Sequence, residues 1–187
     1  PINLIRNRNV LIIGPGSSII KYKKKIIKFI KKIKPIVFVL NAINPIPKNY
    51  VYANVVCHTL RLLSDINKYK KSNKYLITPF SSFSKSIKSR IKSKRILNFG
   101  LQVKGNRFKF ENNYAVLPNS LAITYTLGIC TSGQCKKIFI AGLDGYNKNS
   151  PKKFEMDDVL QNYMSEKKAK KIVSLTPTNY KIKTIKI

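Results

Sequence analysis

"NVLIIGPGSSIIKYKKKI", residues Asn9 to Ile26, is the stretch that decides the fold. Its apolar run from Val10 to Ile13 ends in glycine and is typical of a strand buried on both faces of a parallel sheet. Apolar residues then recur every three or four positions between lysines, which predicts an amphipathic helix over residues 18–34 that is stopped by Pro35. The turn between them, Gly14-Pro15-Gly16-Ser17-Ser18, is neither a G-x-G-x-x-G fingerprint nor a P-loop. It either holds a phosphate at the start of the helix or simply joins a strand to a helix.

Two further apolar runs end in asparagine. "PIVFVLN", from Pro35 to Asn41, and "YVYAN", from Tyr50 to Asn54, are the predicted second and third strands. Ligands of open α/β sheets lie beyond the carboxyl ends of the strands. We therefore expect Gly14, Asn41 and Asn54 to converge on one crevice.

Helical and strand patterns alternate along the rest of the chain. The predicted elements are a helix from Leu60 to Tyr69, a strand in "KYLITP", a basic serine-rich segment from Ser81 to Lys94, a strand-rich or irregular segment 96–116, a buried helix started by Pro118 and ended near Gly133, a strand from Lys137 to Ala141, a helix from about Glu155 to Lys171 and a last strand in "YKIKTIKI". This alternation predicts an α/β fold with a mostly parallel sheet and helices on both faces. One domain accounts for residues 1–187, and the first residue, Pro1, is compatible with a piece of a longer polypeptide.

The charge of the chain is far from balanced. It has 37 Lys and Arg against 7 Asp and Glu, a formal net charge of +30. Such a field attracts polyanions, including nucleic acid and anionic membrane surfaces. An AT-rich genome, whose codons favour Lys, Asn and Ile, is the alternative explanation, although it leaves the scarcity of acids unexplained. The lysines are spread along predicted helices without an arginine-rich or aromatic RNA-binding motif, so nucleic acid is the less favoured partner.

Cysteine spacing and hydropathy bear on the compartment. Cys57, Cys130 and Cys135 form no C-x-x-C pair, so the sequence predicts neither a disulfide framework nor a zinc site. The uncharged run 112–135 contains proline, glycine and several threonines, which favours a buried helix over a membrane span. We expect a cytoplasmic protein, with peripheral association at the inner membrane as an option.

Four polar residues are candidates for chemistry. The amides of Asn41 and Asn54 could bind a ribose or a base edge, or could cap the loops that follow them. Asp144 follows a predicted strand and could bind a ribose hydroxyl, accept a proton, hold a metal or cap a loop. His58 is the only histidine, and is therefore either the one available imidazole base or a helix-terminal residue without a chemical task. No pair of carboxylates has metal-binding spacing, so we expect no metal.

Five short motifs resemble the bacterial sialyltransferases of surface-glycan synthesis and the sialyltransferase-like domains appended to aldolase-type polysaccharide proteins. The motifs are "VLIIGPGSSI", "VLNAI", "YANVV", "LPNSLAITYTLGI" and "KKIFIAGLDGYN". The resemblance implies a Rossmann-like fold that binds a CMP-activated sugar without a metal. The nucleotide site that it implies includes Asn41, Asn54, Asn119, Ser120 and, in the family's G-x-D-x-Y motif, Gly142, Asp144 and Tyr146.

The chain also departs from that family. The family has a histidine base downstream of G-x-D-x-Y, whereas this sequence has no histidine after His58. Pro15 replaces the usual polar residue between the glycines, Ser17 stands where proline is common, and no arginine lies at the start of the Leu117 to Ile129 segment. We therefore expect nucleotide binding and leave transfer open, with Asp144 and His58 as candidate bases.

We predict a nucleotide-binding or CMP-sugar-binding domain of glycosyltransferase type, acting in surface polysaccharide biosynthesis. A glycan acceptor and a second copy of the chain are partners that the resemblance implies. The predicted crevice is formed by Gly14, Pro15, Gly16, Ser17, Ser18, Asn41, Asn54, Asn119, Ser120 and Asp144. One alternative is a basic domain that binds nucleic acid or anionic membrane. Another is a pterin diphosphokinase-like enzyme, which would need magnesium and more carboxylates than the chain has.

Overall fold

A seven-stranded sheet, in which all neighbouring strands are parallel, forms the centre of the protein. The computed structural model describes residues 2–42, 44–91, 95–105 and 107–187. The strands are β1 (Asn9–Ile13), β2 (Ile36–Leu40), β3 (Ala53–Val55), β4 (Tyr75–Thr78), β5 (Ile96–Asn98), β6 (Gly100–Val103), β7 (Lys109–Phe110), β8 (Tyr114–Leu117), β9 (Lys137–Ala141) and β10 (Ile172–Ser174). The order across the large sheet is β10-β9-β1-β2-β3-β4-β5.

Helices cover both faces of this sheet. They are α1 (Ile2–Ile5), α2 (Ser18–Ile33), α3 (Thr59–Ser64), α4 (Ile66–Lys70), α5 (Lys85–Ile91), α6 (Ala122–Ser132) and α7 (Pro151–Ser165). Strands β1 to β5 follow one another to one side, whereas β9 and β10 lie on the other side of β1. Right-handed crossovers then place α2 to α5 on one face and α7 on the opposite face. The predicted α/β, Rossmann-like architecture is confirmed.

The core is divided by the alternation of side chains along the strands. Leu11 and Ile13 of β1 pack in one cluster with Ile19 and Ile26 of α2. Ile12 points the other way and packs in a second cluster, which includes buried residues of α6 and α7. Because both faces of β1 are covered, its sequence is a continuous apolar run rather than an alternating one.

A small second sheet, in the order β6-β8-β7, packs against α6. Helix α6 is apolar on all sides, and its residues from Ile123 to Thr131 are buried. A methyl group on Gly128 would lie 3.0 Å from the Cβ atom of Ala115 in β8, so a small residue is needed where the helix meets the sheet. Within the described ranges, no helix combines the length and apolar character that crossing a bilayer requires.

The predicted strands at the sheet centre are confirmed, but the third strand is displaced. Residues Lys48–Tyr50 form a 3-10 turn, and the strand begins only at Ala53. Asn54 therefore lies in the middle of β3, paired with Val39 of β2, and not at a strand end as predicted.

Helix boundaries were the weaker predictions. The helix expected from Leu60 to Tyr69 is interrupted at Asp65, whose backbone is not helical, so α3 and α4 are separate. The buried helix α6 starts at Ala122 and not at Pro118, because Leu121 is extended and residues 118–120 are not helical. The basic segment 81–94 contains α5, and its residues 92–94 lie outside the described part.

The C-terminal third also differs from its prediction. Helix α7 starts at Pro151, which occupies the first helical position, and ends at Ser165 instead of Lys171. The last strand is β10, not "YKIKTIKI". That final segment makes an isolated bridge from Thr184 to Ser174 and covers the sheet edge with Ile185 packed on one face.

Tyr163 of α7 provides a test of this packing. Its side chain is fully buried, and its hydroxyl lies 2.7 Å from the Thr131 hydroxyl and accepts the Lys170 N–H at 3.0 Å. Tyr163→Phe should lower the free energy of unfolding by about 1–3 kcal/mol, because both partners lose their hydrogen bond. Urea denaturation measures this difference.

Tyr69→Phe is the matched control. Tyr69 is equally a buried tyrosine of the core, but its hydroxyl has no hydrogen-bond partner among the described residues. Removing it should leave the stability unchanged or raise it, since no bond is lost. Equal destabilisation by the two substitutions would contradict the hydrogen-bond assignments.

Candidate functional site

The most suitable place for a ligand is the carboxyl edge of the sheet at β1. Here the chain order reverses, with β2 on one side of β1 and β9 on the other, and α/β sheets bind ligands at such switch points. A cavity of about 310 Å³ opens at this edge, and we call it the crevice. Its walls are the strand-end residues Pro15, Asn41 and Leu143, the helix-start residues Ala122, Lys152 and Glu155, and the tyrosines Tyr146 and Tyr180.

Two helix starts face the crevice. Leu121 precedes α6 in an extended conformation, no side chain caps that helix, and its first turn contains no acid. Helix α7 likewise has no side-chain cap on its first turn. The free N–H groups and the dipole of a helix give its start a partial positive charge. Lys152 in the first turn of α7 adds a positive charge, which the carboxylate of Glu155 in the same wall offsets. The two helix starts are therefore the features of this wall that favour an anion.

Two tyrosines supply aromatic surface. Tyr146 is 45% exposed, whereas Tyr180 is 5% exposed and belongs to the segment after β10. The Lys152 ammonium lies 5.8 Å from the centre of the Tyr146 ring, and Lys153 lies 5.8 Å from that of Tyr180. Burial raises the pKa of the Tyr180 hydroxyl to about 12, so it stays a neutral donor at physiological pH. An exposed aromatic ring such as that of Tyr146 can stack against a nucleobase.

Asn41 contributes a side-chain amide from the end of β2. Its φ angle is +62°, a left-handed conformation that asparagine tolerates better than most residues. Its N–H donates to the Val55 carbonyl at 2.9 Å, and its own carbonyl accepts the Asn54 amide at 2.7 Å. Since these bonds fix only the backbone, the amide group of Asn41 is available to a ligand.

The Gly14 to Ser18 turn has a different function from the predicted phosphate site. The N–H groups of Gly14 and Gly16 donate at 2.8 Å to the carbonyls of Ala141 and Gly142 after β9. The Ser18 N–H donates at 2.8 Å to the carboxylate of Asp144, which also accepts the hydroxyls of Ser17 and Ser18.

Asp144 therefore occupies the anion position at the start of α2. A phosphate could bind there only by displacing this carboxylate, so of the turn residues only Pro15 belongs to the crevice. The turn joins β1 and α2 to the loop after β9. Asp144 caps the start of α2, whereas the structural alternative in the sequence analysis was a cap of a loop.

Glycines allow the two loops to approach each other. A methyl group on Gly16 would lie 2.5 Å from the carboxyl carbon of Asp144. Gly142 has a φ angle of +74°, and a methyl group there would lie 2.4 Å from Ile19 of α2. Gly16 and Gly142 lie in motifs that resemble the sialyltransferase family, and close packing alone explains a glycine at each of them.

The segment after β10 holds the same loop from the other side. The Thr176 hydroxyl accepts the Gly142 N–H at 3.0 Å, the Thr178 hydroxyl donates to the Leu143 carbonyl at 2.6 Å, and the Asn179 N–H donates to the Asp144 carbonyl at 2.8 Å. These bonds position Tyr146 at the crevice. Sequence reasoning missed them because no local pattern links these residues.

The other predicted site residues are separated from the crevice or lie at its rim. Asn54 is 8% exposed and lies on the opposite face of the sheet. Its side-chain amide donates a hydrogen bond to the Asn41 carbonyl. His58 is exposed before α3 and does not line the crevice. Asn119 donates at 3.0 Å to Glu155, and the Ser120 carbonyl accepts the Cys57 thiol at 3.0 Å, so both hold the loop before α6.

The three cysteines are buried free thiols. Burial raises the pKa of the Cys57 thiol to about 12, which leaves little thiolate at neutral pH. Among the described residues, no three His, Cys, Asp or Glu side chains are grouped as metal ligands.

The Asp144 cap predicts a coupling between two positions. Asp144→Ala should lower the free energy of unfolding by about 1–2 kcal/mol, because α2 loses its cap. Gly16→Ala should cost about 1–3 kcal/mol in the natural chain, where the new methyl group meets the carboxylate, and much less in the Asp144→Ala background. A double-mutant cycle in urea measures the coupling.

Gly105→Ala is the control for the effect of a methyl group alone. A methyl group at Gly105 would meet nothing within 4 Å, so no comparable loss is expected. Equal costs of Gly16→Ala in both backgrounds would refute the proposed contact.

Comparison with known proteins leaves the family of the chain open. No protein-family model matches the chain, and no curated protein matches its sequence.

Proposed function

We propose that this chain is a nucleotide-binding or nucleotide-sugar-binding domain and that the crevice is its ligand site. One observation carries the proposal: the cavity at the switch point is bordered by the uncapped starts of α6 and α7 and by Lys152. Phosphate groups suit such a border because the N–H groups and the ammonium both interact favourably with negative charge. Among nucleotide sugars, the resemblance of the motifs favours a CMP-linked sugar.

The remaining walls suit the other parts of a nucleotide. Tyr146, which is 45% exposed, offers an aromatic face to a base, whereas Tyr180 is buried and contributes only a small part of the crevice wall. The Asn41 amide presents one donor group and one acceptor group, which is the pairing that a base edge or a ribose requires. The volume of about 310 Å³ is at the lower end of the range for small-molecule sites, which favours a mononucleotide over a dinucleotide.

Nucleotide binding is better supported than glycosyl transfer to an acceptor. An inverting transferase needs a base that takes the proton of the acceptor hydroxyl. Asp144 is already engaged by Ser17 and Ser18, and His58 does not line the crevice. The carboxylate that does line it is Glu155, which bonds to Asn119, and it is the residue to test if a glycan acceptor is found.

A second candidate function is a basic docking domain. The exposed side of α2 carries Lys21, Lys24, Lys28 and Lys31, and the helix contains no acid. This surface would attract an anionic membrane or nucleic acid through charge alone, with an affinity that falls steeply as salt is added. Docking through this surface requires neither the crevice nor a particular nucleobase.

Calorimetric titration with CMP, UMP, GMP and AMP at about 150 mM salt separates the two functions, because that salt screens exposed charges beyond about 8 Å. Base-selective binding, weakened about tenfold by Asn41→Gly, is expected if the Asn41 amide contacts the ligand. Glycine is chosen because it accepts the positive φ angle and preserves the backbone bonds.

Asn7→Gly is the matched control. Asn7 also has a positive φ angle, +56°, but it is exposed at the opposite end of β1. It should leave nucleotide affinity unchanged. Weak binding without base preference, equally affected by both substitutions and lost with added salt, would reject the crevice in favour of the basic surface.

A further inference from the structure

The amino edge of the large sheet, where its strands begin, carries an ordered series of basic residues. All neighbouring strands are parallel, so all seven begin along this one edge, opposite to the crevice. A Lys or Arg stands directly before five of the seven strands, and Lys34 lies two positions before β2. We call these six residues the basic row. In order across the sheet they are Lys171, Lys136, Arg8, Lys34, Lys74 and Arg95.

The high positive charge of the chain does not by itself explain the basic row. Lys and Arg make up 37 of the 187 residues, so only one or two basic residues are expected in any seven positions. At the carboxyl edge, none of the residues that directly follow the seven described strands is a Lys or Arg. Those residues are Gly14, Asn41, Val56, Pro79, Phe99, Gly142 and Leu175. The fold therefore places basic residues selectively at the amino edge.

Backbone hydrogen bonds of the sheet fix several members of the row. The Arg8 carbonyl accepts the Lys136 N–H at 2.9 Å. The carbonyls of Arg95 and Lys171 accept N–H groups of the neighbouring strands β4 and β9, at 2.9 Å and 3.0 Å. Neighbouring strands lie about 4.8 Å apart, so the row extends over about 29 Å. The charges are thus carried by a rigid edge and follow one another in a line.

The basic row has no acidic partner in the described part of the chain. Its members are exposed, except for the half-buried Lys74. The ion pairs among the described residues use the carboxylates of Asp65, Glu111 and Asp157, and none of them includes a member of the row. Neighbouring cations repel one another, and an anion bound along the row would relieve that repulsion.

Two tyrosines lie where the row is interrupted, at β3. Tyr52 directly precedes β3, and Tyr75 is the first residue of β4. Their rings stack with centroids 5.2 Å apart and an interplanar angle of 15°. Arg95 extends the stack, because its guanidinium carbon lies 5.9 Å from the centre of the Tyr75 ring. Both tyrosines are half-buried, so part of each ring is open to solvent. Aromatic rings and guanidinium planes are the surfaces on which unpaired nucleobases stack.

We propose that the amino edge binds single-stranded nucleic acid, with the basic row contacting successive phosphates and the stack of Tyr52, Tyr75 and Arg95 contacting a base. A line of charges suits a single strand, and the aromatic stack favours a nucleic acid over an anionic membrane, which offers no base. This surface differs from the lysines of α2, which would act through charge alone. It lies at the edge opposite to the crevice, so the proposal does not depend on nucleotide binding there.

Fluorescence anisotropy with a labelled single-stranded RNA of about ten nucleotides tests the proposal, with the salt concentration varied around about 150 mM. Lys136→Gln/Lys171→Gln should weaken binding about tenfold at that salt concentration. The slope of log affinity against log salt should fall in magnitude by about 1.4, because each phosphate contact to a single strand contributes about 0.7.

Lys24→Gln/Lys28→Gln is the charge-matched control. It removes two exposed charges of α2 that lie outside the row, so the affinity should change less than twofold and the slope should stay the same. Equal effects of the two double variants would overturn the proposal, because charge anywhere on the surface would then be sufficient.

Tyr52→Leu tests the base contact. It should weaken RNA binding about tenfold with an unchanged salt slope, and should leave the affinity for polyphosphate, which has no bases, unchanged. Asn41→Gly, which alters the crevice, should leave the affinity for RNA unchanged. Equal affinities for RNA and polyphosphate would overturn the proposal, as would vesicles of phosphatidylglycerol that bind through the row more tightly than RNA does.

Discussion

The interaction between Asp144 and the start of α2 determines how the two halves of the sheet meet. The first turn of helix α2 contains no acid, and the side chain of its N-cap residue Ser17 makes no capping hydrogen bond to that turn. Asp144 supplies the missing anion from the loop after β9, through the Ser18 N–H and the hydroxyls of Ser17 and Ser18. The same bond places the loop that carries Tyr146, and thereby forms one wall of the crevice.

Other acids of the chain form ion pairs with neighbouring basic residues. Asp65 is 5% exposed and lies between Arg61 and Lys68, where it joins α3 to α4 at the point at which the helix is interrupted. Asp157 pairs with Lys153 within α7. With 7 acids against 37 basic residues, such pairs leave most of the positive charge uncompensated.

The sequence predicted best those elements whose secondary structure follows from a local pattern of apolar and polar residues. Continuous apolar runs identified β1, β2 and β9 because strands buried on both faces need no polar positions. Residues whose place depends on distant contacts could not be predicted. Tyr180 enters the crevice only because Thr176 and Thr178 bind the loop after β9, and no spacing in the sequence records those bonds. The Gly14 to Ser18 turn was recognised, but its anion proved to be a carboxylate of the chain itself.

Asn41 and Asn54 have different places in the structure, although the sequence made both candidates for a ligand contact or for a loop cap. Both were predicted to contact a nucleotide because both follow apolar runs. In the structure Asn54 is turned away from the crevice, and its amide donates to the Asn41 carbonyl. That bond, together with the Asn41 N–H to the Val55 carbonyl, holds Asn41 at a positive φ angle. These two bonds fix the backbone of Asn41 at the end of β2, and its side chain lines the crevice.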